Sequence, residues 1–279
     1  MSKSGVPLQT GLPLLGSLRV PERVSLFVAI LMVLASACGL LFPASIYTTA
    51  ESFRSFGAND IVNLVLGLPI LLVAIALALR GRLVGLLFWP GALLYVLYNY
   101  IAYAVGVPPG PVTALYAALI VFSLSATIVL VRRFDLAALQ ARLLGGQVEK
   151  PCGGALVVFG ALFALRAVSA IGDSLARQLA IPPEELGVLL ADLILCTAWV
   201  VVGVQLWRHK PLGYSLGGGL LFQASMLFLS LIGFLLLQPV LVGGPPAMMD
   251  VMVVAGLGMI CLVPLALFAR AAVVSDRAR

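Results

Sequence analysis

Eight apolar stretches of about 20 residues, the length at which a helix crosses a bilayer core, constrain this chain more than any other feature. They lie at 24–47, 60–79, 83–104, 111–131, 153–172, 186–207, 212–238 and 248–269. With 62% hydrophobic and only 10% charged residues, the chain has too little polar surface for a soluble domain, which is about a quarter charged. Lipid offers no partner to backbone amides, so stretches of this kind must be helical. The expected fold is all-α: a polytopic integral membrane bundle of about eight transmembrane helices.

The basic residues test that count. Of the 17 Lys and Arg, 14 fall on one side of an eight-span path: Lys3, Arg19, Arg23, Arg80, Arg82, Arg132, Arg133, Arg142, Lys150, Arg208, Lys210, Arg270, Arg277 and Arg279. Arg54 and Arg177 fall on the other side, and Arg166 lies within a span. Basic loops mark the cytoplasmic side, so both termini are expected there and the protein in the inner (cytoplasmic) membrane. The net charge of +6 is then a matter of orientation, and nucleic acid is not an expected partner. The first span follows basic residues and contains Ala35-Ser36-Ala37-Cys38, but its apolar run exceeds a signal core. It reads as a retained helix.

The path divides into a 1–23 tail, a first four-helix unit at 24–131, a 132–152 linker, a second four-helix unit at 153–269 and a 270–279 tail. Within the linker, residues 136–144 carry an apolar pattern that fits a short interfacial helix or a solvated connector. The two units resemble each other. Ser36-Ala37-Cys38-Gly39 pairs with Ser169-Ala170-Ile171-Gly172, Asp60 with Asp192, and Arg80-Gly81-Arg82 with Arg208-His209-Lys210, at separations of 133, 132 and 128. Pro111 and Pro246 open spans four and eight. Four spans per unit make the repeats parallel, an arrangement found in some transporters.

Ionisable groups inside a bilayer are costly and face an interior, a cavity or a partner. At the helical rise, Arg166 lies about 20 Å from the start of span five and Asp192 about 9 Å below the start of span six. Both fall in the outer half, and an Arg166–Asp192 ion pair is expected, with Asp173 as an alternative partner for the arginine. Asp60 opens span two and reads as a helix cap or a binding group. Tyr95, Asn99 and Tyr103 share one stripe of span three. Tyr100 and Tyr103 also fit an interfacial aromatic belt. Gln223 lies mid-membrane in span seven. Arg166, Asp192, Asp60, Asn99, Tyr95 and Gln223 are the candidate substrate- or ion-binding residues of one polar pocket in the outer half.

Asp60-Ile61-Val62-Asn63-Leu64-Val65-Leu66-Gly67-Leu68-Pro69, Arg80-Gly81-Arg82 and Tyr95-Val96-Leu97-Tyr98-Asn99-Tyr100 resemble an uncharacterised family of prokaryotic multi-pass membrane proteins. Asp192-Leu193, Leu206-Trp207-Arg208 and Gly213-Tyr214 extend the resemblance, which covers about half the chain. It implies a membrane class and draws attention to Asp60, Asn99 and Asp192. It implies no activity.

No catalytic, metal or cofactor motif is present. Four cysteines lack CxxC spacing, His209 is the one histidine, and no lysine lies in a span to hold retinal. The leading functional expectation is a transporter or permease of a small solute. A membrane sensor or assembly subunit comes second, and an intramembrane enzyme for lipid or isoprenoid substrates third. In that third reading Asp60 and Asp192 would form a carboxylate pair. The bilayer, a small solute or ion, and a homo-oligomeric or membrane partner are the expected contacts.

Overall fold

The computed structural model describes residues 11–144, 148–245 and 247–277. Its elements are α1 (Arg19–Leu41), α2 (Pro43–Ile46), α3 (Ala50–Val62), a π-helical turn (Asn63–Gly67), α4 (Leu68–Leu79), α5 (Leu83–Gly106) and α6 (Thr113–Val131). After these come α7 (Leu136–Leu143), α8 (Glu149–Arg177), α9 (Pro183–Trp207), α10 (Pro211–Val242) and α11 (Met248–Arg277). Among the described residues, eight helices are long and apolar enough to cross a membrane, with α3, the π turn and α4 forming one of them over Ala50–Leu79. The all-α, multi-spanning expectation therefore holds. Pro246 lies outside the described residues.

Span two starts well before its apolar window, because capping acts on polar residues. Thr49 takes an extended conformation and its Oγ1 accepts the Ser52 N–H at 3.0 Å. Such a cap satisfies one of the amides that a helix start leaves free. Span two thus opens ten residues ahead of Asp60, and Asp60 is an interior helical residue, not a cap.

Helix α5 is the axis of the bundle. It packs against α4, α6, α9 and α10, and 72% of its apolar window is buried. Its closest neighbour at mid-length is α10. A Cβ on Gly91 would land on the Gly219 carbonyl, and one on Gly219 would lie 2.9 Å from the Leu87 carbonyl. Small residues at such crossings let two membrane helices bring their backbones together.

The turns on one face are stitched to each other. Leu15 N–H donates to the Arg133 carbonyl at 2.7 Å and Asp135 N–H to the Pro13 carbonyl at 3.0 Å. Asp276 accepts the Leu83 N–H at 2.9 Å, and Gln140 donates to the His209 carbonyl at 2.6 Å. The basic turns at Arg80, Arg132 and Arg208 and the two described ends of the chain therefore share one face. The linker helix α7 is capped by Asp135, which accepts from Ala138 N–H at 3.0 Å. It buries Leu139 and Leu143 against the bundle and packs on α10 and α11, so it is a bracket rather than a solvated connector.

Two turns on that face repeat each other bond for bond. Arg80, Gly81 and Arg82 donate to the carbonyls of Ala76, Ala78 and Leu77 at 3.0 Å each. Arg208, His209 and Lys210 donate to Val204, Leu206 and Gln205 at 2.9, 3.0 and 2.8 Å. The bond from the third donor back across five residues marks a Schellman-type helix end, which needs a left-handed residue. Gly81 supplies it at φ 77° and His209 at φ 54°. Just beyond, a Cβ on Gly85 would strike the Ala78 backbone, and one on Gly213 would strike Leu206.

Candidate functional site

Two buried polar clusters flank α5, both reached by its tyrosines. The first surrounds Asp60, which is 1% exposed. The Tyr47 hydroxyl donates to its Oδ2, and Tyr103 donates to its Oδ1 at 3.0 Å. Tyr47 comes from the break after α1, where Pro43 starts the short α2 and turns the chain inward. Burial, and then the nearby Asp60 carboxylate, push the Tyr47 phenol above its usual range. Gly39 of α1 makes room: a Cβ there would overlap both the Asp60 carboxylate and the Tyr47 hydroxyl. The Ser36, Tyr100 and Tyr116 hydroxyls crowd this centre but stand outside hydrogen-bond geometry.

From Asp60 a chain of polar contacts crosses α5 to α10. Asn59 donates to Asn99 Oδ1 at 3.1 Å and to the Tyr103 hydroxyl at 3.3 Å. Asn99 donates to the Tyr95 carbonyl at 2.9 Å. The Tyr95 hydroxyl donates to Asn63 Oδ1 at 3.4 Å and shares a 2.8 Å bond with Ser230. Asn63 opens the π-helical turn, and its Nδ2 is buried without a partner. A π turn interrupts regular α bonding and often marks a functional position. No cation pairs with Asp60 among the described residues.

The second cluster centres on Asp192, whose side chain is 0% exposed. Arg166 Nη1 lies 2.6 Å from Asp192 Oδ2, and Tyr98 donates to Oδ1 at 2.7 Å. The arginine side chain is 52% exposed, so the pair has one dry and one open member. Close helix packing brings the two together. A Cβ on Gly153 of α8 would lie 2.7 Å from the Gly203 carbonyl of α9, and one on Gly203 2.8 Å from the Gly153 carbonyl. The arginine thus pairs with Asp192 rather than Asp173.

Placed side by side, the six candidates do not form one pocket. Asp60, Asn99 and Tyr95 belong to the first cluster, and Arg166 and Asp192 to the second. Gln223 stands apart: its Oε1 accepts from Trp199 Nε1 at 2.7 Å, while its Nε2 has no partner. Asp60 and Asp192 share no hydrogen bond, and different tyrosines hold them. The expected carboxylate pair is therefore not formed. Tyr100 and Tyr103 are 0% and 1% exposed. They line the interior rather than an interfacial belt, because their hydroxyls sit among the polar groups around Asp60.

A cavity of 370 Å³ does occur, but it is an apolar groove between α4, α5 and α10, and none of the six candidates lines it. Around Asp60 and Asp192 the polar groups pack on one another. Tyr47 and Ser230 join the Asp60 network without a sequence signal; only Pro43, which bends the chain back, points toward Tyr47.

No family model matches this chain, and no curated protein or solved structure matches it either. The apolar, multi-spanning helical architecture agrees with the membrane class that the quoted motifs imply, and no family identity follows from it.

Proposed function

We propose that the protein is a transporter or permease of a small solute, built as two parallel four-helix repeats in the inner (cytoplasmic) membrane with its basic face and both termini in the cytoplasm. The observation that carries the functional reading is Asp60: an acid inside a membrane helix, ringed by hydroxyls, with no cation beside it among the described residues. Burying a carboxylate alone is expensive, and such residues mark ion or proton pathways. In this reading Asp60 takes up a proton or a small cation. The adjoining π turn lets span two flex, and the Arg166–Asp192 pair acts as a latch on the opposite side of α5. Tyr95, Asn99 and Gln223 connect the moving helices.

The repeat is supported by the two matching helix-end turns and by the facing glycines. Gly91 and Gly219 are 128 residues apart, the spacing of those turns, and equivalent residues touch each other only near a two-fold axis. The cross-contacts of α5 with α9 and of α10 with α3 fit the same exchange of halves. In that register the π turn holds one extra residue, so Asp192 corresponds to Asn63 rather than to Asp60. The acid of the first half then lies about one turn from the position of the acid in the second.

A membrane sensor or assembly subunit without catalytic activity is the second reading, favoured by the tight mutual packing of the polar groups. Reconstitution separates the two. Proteoliposomes with an internal pH dye are challenged with amino acids, sugars and organic acids. Transport predicts solute-dependent proton or charge movement that Asp60→Asn removes and Arg166→Ala impairs. Absence of flux with every solute, together with reproducible co-purification of one membrane partner, supports the sensor or assembly reading.

A further inference from the structure

The apolar groove lies where the two halves differ most, and its ends have different chemistry. Its long wall runs from Leu66 to Leu77 on span two, with Phe88 of α5 and Phe222 of α10 stacked opposite, centroids 4.7 Å apart. Pro69 stands in that wall immediately after the π turn. At 1.5 Å per residue, the wall is about 16 Å long, close to half of a hydrocarbon core of about 30 Å. At the Leu77 end, three residues on, the chain reaches Arg80 and then Arg82. Both are exposed, and neither has an ion-pair partner among the described residues. The nearby acid, Asp276, is bound to the Leu83 amide.

We propose that this groove is a binding site for one anionic phospholipid of the leaflet on the basic face, its acyl chain lying along Leu66–Leu77 and its phosphate held by Arg80 and Arg82. Three features agree on this occupant. The wall is dry, with Val73 55% exposed toward the bilayer. Its length is that of one leaflet and not of a whole membrane. The two guanidiniums sit at the level where that leaflet's headgroup would lie, and basic pockets between membrane helices take anionic headgroups. Arginine pairs suit phosphate because each guanidinium offers a planar fork of donors. The equivalent turn of the other half, Arg208 and Lys210, is also basic, but the described groove does not extend to it. The site is independent of the transport reading.

Native mass spectrometry of the detergent-purified protein with phosphatidylglycerol and with phosphatidylcholine of identical chains tests it. One phosphatidylglycerol should be retained in preference to phosphatidylcholine. Arg80→Ala/Arg82→Ala should lower its retention about tenfold or more, given about 1 kcal/mol per basic residue. Val73→Trp, on the lipid-exposed rim, should lower retention by filling the groove while both arginines remain. Arg208→Ala/Lys210→Ala should leave it unchanged. Equal retention of the two lipids, equal loss in the two dibasic variants, or full retention by Val73→Trp overturns the proposal. Thermal melts confirm that each variant is folded, and Val73→Trp still reads the groove if the double arginine variant does not fold.

Discussion

Spans two and six both pack beside α5 and manage their buried acids in opposite ways. Both acids are held by a tyrosine of α5, Asp60 by Tyr103 and Asp192 by Tyr98. Asp192 also has a guanidinium at 2.6 Å and sits in α9, an unbroken helix of 25 residues. Asp60 has only neutral donors and precedes a π turn within a 30-residue span. Where the charge is neutralised, the helix is regular. Where it is not, the helix carries a widened turn, a proline and a groove beside it. A fold that needed buried acids merely for packing would have no reason to treat the two so differently.

The sharpest way to break the comparison is at the crossing of α5 and α10. Gly91→Ala puts a methyl group onto the Gly219 carbonyl, a backbone atom that cannot swing aside. We expect the largest loss here, about 3 kcal/mol or more by analogy with overpacked cores, read as a steep fall in the detergent melting temperature. Gly219→Ala meets backbone at 2.9 Å or more and should lose less. Gly85→Ala and Gly213→Ala should lose similar amounts, since each added Cβ meets the preceding helix in the same way. Clearly unequal losses at this second pair would count against the repeat.

Next in size is the ion pair. Arg166→Ala leaves Asp192 buried without its cation. Breaking a fully buried pair costs about 3–5 kcal/mol, and the half-open arginine reduces this to about 1–3 kcal/mol. Arg166→Leu/Asp192→Leu should recover most of that stability, because two apolar side chains leave no charge stranded. If the double variant is stable yet flux in proteoliposomes is lost, the pair is a latch and not a strut. A double variant no more stable than Arg166→Ala would assign Asp192 a packing role that leucine cannot fill.

Much of this contrast was legible in the sequence, and its limits are physical. Period, length and charge asymmetry located eight spans, because lipid allows few alternatives to a helix. The Arg166–Asp192 pair was legible because both depths could be counted along rigid helices. The surroundings of Asp60 were not, because its span begins at a Thr49 cap inside a polar stretch that hydropathy leaves out. Tyr47 reaches the site through the helix break after α1, and Ser230 through the packing of α10. Neither contact has a period to read. The π turn was equally hidden, since one extra residue in an apolar run changes no composition. In the proposed repeat it shifts the register by one, so that Asp192 corresponds to Asn63 and not to Leu64.

A smaller effect distinguishes the two tyrosines. Tyr98→Phe removes one donor from Asp192, which keeps its guanidinium. Tyr103→Phe removes a hydroxyl that donates to Asp60 and also lies 3.1 Å from the Phe56 carbonyl and accepts from Asn59. A buried hydrogen bond to a charged group is worth about 1.5–3 kcal/mol. We therefore expect Tyr103→Phe to lower stability by about 2 kcal/mol and Tyr98→Phe by about 1 kcal/mol, measured by thermal melts in one detergent. The reverse order would mean that the arginine contributes little to holding Asp192.

The smallest effect concerns how the two spans begin. Span two starts at the Thr49 cap, whereas α9 starts at Pro183 with no side-chain cap and Glu184 and Glu185 in its first turn. Proline at a first helical position costs no hydrogen bond, and acids there favour the positive end of the helix dipole. Thr49→Ala should lose about 1 kcal/mol, while Pro183→Ala should change stability by no more than a few tenths of a kcal/mol. The consequence for Asp60 makes the first substitution informative. The Thr49 cap fixes the turn that follows Tyr47, so fraying there should loosen the Tyr47–Asp60 contact two to three turns from the cap. Hydrogen exchange at the amides of Ser52 and Phe53 reads the fraying directly. If those amides exchange faster but flux is unaltered, Tyr47 is a cover for Asp60 and not part of its proton path.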